Sequence, residues 1–95
     1  MGKRLIEHRL RRLGARLRTM RDELQVIDDQ LAHLADDADD KSLRALVAET
    51  PGAGKEYREA KEHAEAMAAH RAHVEARIAE LEARQDRLLD ALMAD

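Results

Sequence analysis

The 95-residue chain has no cysteine, no phenylalanine and no tryptophan, and only one tyrosine and one proline. Without cysteine there are no disulfides and no thiolate metal ligands. With Tyr57 as the sole aromatic residue, there is no platform on which single-stranded nucleic acid could stack its bases. No apolar run approaches the ~18 residues that a membrane-spanning helix needs, and no secretory leader pattern is visible. The Met1-Gly2 start has Ile6 where a myristoylation signal needs Ser or Thr. A soluble, cytoplasmic chain is the expectation. The length allows one domain, 1–95. Alanine supplies 18 of the 42 hydrophobic residues, so the core is thin and self-association is expected.

What the chain does contain is a seam. Ile6, Leu10, Leu13, Leu17, Met20, Leu24, Ile27, Leu31 and Leu34 alternate spacings of four and three without a miss. This heptad pattern needs a second helix to cover it. Tyr57, Ala60, Ala64, Met67, Arg71, Val74, Ile78, Leu81, Gln85, Leu88 and Leu92 keep the same spacing and supply one within the chain. The fold class predicted is therefore all-α, an antiparallel coiled-coil helical hairpin. The first helix is expected over residues 3–35, roughly 50 Å at 1.5 Å per residue. Gly14 weakens its interior by about 1 kcal/mol relative to alanine but does not interrupt the seam.

After Leu34 the reading divides. Asp36-Asp37-Ala38-Asp39-Asp40 is rich in a residue that caps helices better than it continues them. The next apolar cluster, Leu43, Leu46 and Val47, falls on the face opposite the seam if the helix runs on. A break within 36–40 is therefore predicted, and after it a short helix over 41–49 near the tip, folded over the hairpin's end. A continuous helix is the alternative, and it leaves that cluster exposed. Thr50-Pro51-Gly52-Ala53-Gly54 reads as a turn, with Thr50 capping the last helix and Pro51 in that helix's first turn. The body of the last helix is expected over 54–93. Antiparallel pairing puts Arg71, a polar seam residue, near Asp22 or Glu23.

Charge is distributed unevenly. Residues 1–21 carry eight bases against Glu7, and residues 22–40 carry eight acids and no base. Part of the basic end is expected to be neutralised by the acids of the last helix, Glu75 through Asp95. Arg4, Arg11 and Arg18 share one heptad position and Arg12 lies beside it, all pointing away from the seam. They form a basic surface suited to nucleic acid, an acidic protein or anionic lipid, or simply a solvated face. A stripe of small residues, Ala69, Ala72, Ala76, Ala79 and Ala83 with Ala66 before them, could receive another helix. A homodimer built as a four-helix bundle would result, although alanine is also just the best helix former. His33, His63, His70 and His73 lack the doubled Glu-x-x-His pattern of a di-iron bundle, so no metal site and no cofactor is expected. Gly52-Ala53-Gly54-Lys55 has Glu49 and Glu56 where a phosphate loop needs Gly and Ser or Thr. The hydroxyls Thr19, Ser42, Thr50 and Tyr57 form no nucleophile–base set, so no enzyme is expected.

A hairpin with Asp36, Asp37, Asp39 and Asp40 as an acidic tip resembles, in outline, the DksA and Gre transcription factors. The resemblance implies a hairpin that enters the secondary channel of RNA polymerase, with tip acids acting near its catalytic metal. Asp36 and Asp39 match the two acids of an Asp-x-x-Asp-x-Ala tip, but Lys41 stands where Ala belongs, and no zinc module is present. The function expected is a non-catalytic interaction or adaptor protein that presents a helical surface to a protein partner. The alternative is a transcription-associated regulator, reaching polymerase through the tip or nucleic acid through the arginine face.

Overall fold

The computed structural model describes residues 2–94 and contains two helices, α1 (Lys3–Ala48) and α2 (Pro51–Met93), arranged as an all-α helical hairpin. No strand occurs among the described residues. The 3/4 series that runs through both helices is the buried side of each. On α2 every position of the series from Tyr57 to Leu92 is buried or half-buried, including Arg71 and Gln85. Packing of these two apolar stripes, rather than helix propensity, is what holds such a pair together.

Two compact units can be described separately. The first, Met1–Leu24 with His73–Asp95, contains most of the core. Ile6, Leu13 and Leu17 from α1 are buried here, as are Val74, Ile78 and Leu81 from α2. Leu17 and Leu81 are fully enclosed, at 1% and 0% exposure. Arg21 reaches across to Glu82 at 3.6 Å, with both side chains about half exposed, a geometry that contributes little stability in water. Asp95, one of the acids expected to neutralise the basic end, lies outside the described residues.

The second unit, Gln25–Ala72, holds the turn. Its core is thinner: Ile27 and Ala60 are buried, while Leu31, Leu34, Ala64 and Met67 are half-buried. Arg71 donates a hydrogen bond from Nε to the Asp28 carboxylate. That bond is the main reason its guanidinium is held above the ordinary arginine pKa; burial opposes the shift, and the attraction between the charges adds to it. The partner expected was Asp22 or Glu23. Asp28 takes their place because the two residues stand equally far from a tight turn at Glu49–Thr50, and the turn sets the register.

The predicted break within 36–40 and the separate short helix over 41–49 do not occur; α1 runs unbroken to Ala48. The physical reason lies on the inner face. After Leu34, the half-buried positions are Ala38, Lys41, Ser42 and Ala45; Ala38, Lys41 and Ala45 continue the 3/4 alternation with small or long-stemmed residues. Propagating an existing helix through aspartate costs only a few tenths of a kcal/mol per residue, about 0.7 at most. Nucleating a new helix costs far more. Lys41 also reaches back to Asp37 at 3.1 Å, an i,i+4 pair with the acid on the favourable N-terminal side.

The turn is shorter than the predicted 50–54, and α2 begins at Pro51 rather than Gly54. Thr50 is the N-cap: its hydroxyl accepts a hydrogen bond from the Ala53 N–H at 3.2 Å, and its carbonyl accepts one from Gly54 at 3.1 Å. Pro51 occupies the first helical position, where its missing N–H is harmless. Gly52 and Gly54 are thus helical residues. The strain falls on Glu49, whose φ is 50° and whose N–H closes the end of α1 onto the Ala45 carbonyl at 3.1 Å. This left-handed position after a helix favours glycine, and a side chain there costs roughly 1–2 kcal/mol. Glu49→Gly is therefore expected to stabilise the hairpin by about 1 kcal/mol, measured as a raised urea midpoint with an unchanged slope. A lower midpoint would mean that the glutamate side chain contributes more than its backbone strain costs.

Candidate functional site

Two surface features stand out. The first lies in the unit formed by Met1–Leu24 and His73–Asp95. A cleft of about 560 Å³ is lined by Arg9, Arg12, Leu13, Arg16, Leu81, Arg84 and Leu88. Its geometry comes from the seam. Arg9, Arg12 and Arg16 each directly precede a seam residue (Leu10, Leu13 and Leu17), so they form a row beside the seam on α1. Arg84 faces them from α2, and Leu13, Leu81 and Leu88 make the floor. Arg12, Arg16 and Arg84 form no hydrogen bond or ion pair with a described residue.

Of the arginines singled out from the sequence, Arg12 alone belongs to this cleft. Arg4, Arg11 and Arg18 are exposed on α1 and do not line it. The cleft was legible as the 3/4 spacing of Arg9, Arg12 and Arg16, one residue out of phase with the seam. Its fourth member could be found only once the register of α2 was known.

The second feature lies in the unit Gln25–Ala72. Leu43, Leu46 and Val47 are 63%, 71% and 86% exposed. They are spaced i, i+3, i+4 in the last turns of α1, so they share one face. Ala38, Lys41 and Ala45 hold the opposite side of the same helix against α2, and this turns the three large residues outward. Exposed Arg44 lies between them in the sequence, and exposed Asp40 and Glu49 flank the segment.

The aspartates do not form a tip. Asp36, Asp37, Asp39 and Asp40 are exposed residues inside α1, with more than two helical turns between them and Glu49. Nearer the end of the hairpin Leu43, Leu46 and Val47 are exposed instead. Asp37 and Lys41 line a small cleft of about 160 Å³ with Glu56, Glu59, Ala60 and His63. Ala69, Ala72, Ala76, Ala79 and Ala83 are exposed on α2. Among the described residues no group of three His, Asp or Glu side chains is placed to hold a metal ion, and no helix is long and apolar enough to cross a membrane. Two of the hydroxyls serve the backbone: Thr19 donates to the Ala15 carbonyl at 3.2 Å, and Thr50 caps α2.

No protein-family model, curated protein or solved structure matches the chain.

Proposed function

We propose that the chain is a non-catalytic interaction protein that offers the end of α1 to an apolar groove on a protein partner. The observation that carries this reading is the exposure of Leu43, Leu46 and Val47 on one helical face. Anchors at i, i+3 and i+4 are how a helix engages a hydrophobic groove. Apolar residues clustered on a surface and rimmed by charge mark contact sites more often than scattered ones do. The seam is covered within the chain and these residues lie off it, so they are not needed to hold the hairpin together. The polymerase-directed alternative has less behind it, because the acids it relied on lie along α1 and away from the turn.

A second copy of the chain is the competing occupant. The exposed alanines from Ala69 to Ala83, with Leu5, Val26 and Leu89 at 45%, 55% and 41% exposure, would serve a homodimer. Two measurements separate the readings. Leu43→Ser/Leu46→Ser/Val47→Ser is expected to keep the helical signal and to move the unfolding free energy by no more than about 0.5 kcal/mol. A photo-crosslinker at Leu46 in the producing cells is expected to capture a protein that a crosslinker at Arg11 does not. Adducts consisting solely of the chain itself would overturn the partner reading in favour of a self-interface.

A further inference from the structure

The geometry points to the cleft between α1 and α2 in the first unit as a binding site for a compact oligophosphate anion. Guanidinium groups converge on it from both helices, with Arg9, Arg12 and Arg16 on one wall and Arg84 on the other. Three of them, Arg12, Arg16 and Arg84, are exposed and have no acidic partner among the described residues. Like charges held around one space repel one another, and an anion that touches both walls removes that repulsion while gaining several charge-assisted hydrogen bonds. The planar fork of arginine suits phosphate oxygens in pairs. A single phosphate can face one wall, whereas a chain of linked phosphates can bridge from the row on α1 to Arg84. The volume of about 560 Å³ is within the range of small-ligand clefts.

The lining also limits what else the ligand can be. Leu81 at 0% exposure and Leu13 at 7% close the floor, so an acyl chain finds no slot to enter. No aromatic residue lines the cleft, so a nucleobase has nothing to stack on. Recognition would stop at the phosphates, whether the oligophosphate is free or belongs to a nucleoside triphosphate.

The test is calorimetric titration of the full chain with inorganic tripolyphosphate and with orthophosphate, at low and at physiological salt. Tripolyphosphate is expected to bind at least about tenfold more tightly than orthophosphate, since each added bidentate contact is worth that much or more. Arg12→Gln/Arg16→Gln/Arg84→Gln should lose about tenfold or more in tripolyphosphate affinity. Arg4→Gln/Arg11→Gln/Arg18→Gln removes the same charge outside the cleft and should lose less than about threefold. Circular dichroism checks that both triple variants remain folded, and Arg84→Gln alone repeats the comparison with minimal disturbance. ATP that binds more tightly than tripolyphosphate, with AMP silent, would identify a nucleotide as the source. ATP that binds no better would identify the free oligophosphate. Equal losses in the two triple variants would show diffuse attraction rather than a site and overturn the proposal, as would the absence of binding by the unaltered chain.

Discussion

Leu81→Ala is expected to destabilise the hairpin by about 2–5 kcal/mol, and Leu17→Ala by a similar amount. Both side chains are fully enclosed in the unit that contains most of the core. Truncation removes the transfer free energy of the lost carbons and leaves a cavity that two helices can only partly close. Single domains of this size are stable by about 5–15 kcal/mol in all, so either change removes a large share. The control is Leu46→Ala, the same chemical change at a residue 71% exposed, which should stay within about 0.5 kcal/mol of the parent. Urea unfolding monitored by circular dichroism measures all three. A loss below about 1 kcal/mol at Leu81 would mean that the seam is not the source of the stability.

Asp39→Pro is the second large effect. Asp39 is exposed and lies inside α1. Proline there removes a hydrogen bond to the carbonyl four residues back and pushes its ring against it, at about 3 kcal/mol or more. Asp39→Ala should be neutral or gain a few tenths of a kcal/mol in propensity. The pair separates two pictures of the chain. If the aspartate run were a loop before a separate short helix, both variants would be tolerated almost equally. A loss confined to the proline variant is the signature of one continuous helix.

Most of the architecture could be read from residue spacing. The series from Ile6 to Leu34 and from Tyr57 to Leu92 demanded two helices facing each other, and the inward positions are those residues. The continuation of α1 was hidden because Ala38, Lys41 and Ala45 do not look like core. They face α2 where the helices need small side chains or a flexible stem, and a search for large apolar residues passes over them. Local preference at the aspartates pointed the other way and was overruled by packing on the far side of the same helix. The turn was half visible. Thr50 and Pro51 announced their roles as cap and first helical residue, but the left-handed residue is Glu49, a type that gives no signal for that conformation. Gly52 and Gly54 carry that signal but are helical residues of α2.

The surfaces were less legible than the fold because an outward residue is outward only relative to a helix whose extent is known. Leu43, Leu46 and Val47 could be a lid or a patch depending on whether α1 stopped at 35 or ran on. The arginines were visible as charge, but which of them share a cleft depends on the register that brings Arg84 beside Arg12 and Arg16.

The core is also unevenly placed along the chain. Of the buried residues, Ile6, Leu13, Leu17, Val74, Ile78 and Leu81 belong to segments that are far apart in sequence, whereas Ile27 and Ala60 lie closer to the turn. Joining distant segments costs more chain entropy than joining near ones, and contacts of that kind slow folding. The end of the hairpin that is easiest to close therefore gains least by closing. Zipping outward from Glu49–Thr50 would bury little before the segments around Leu17 and Leu81 pair, and the arginine cleft is built on those same segments.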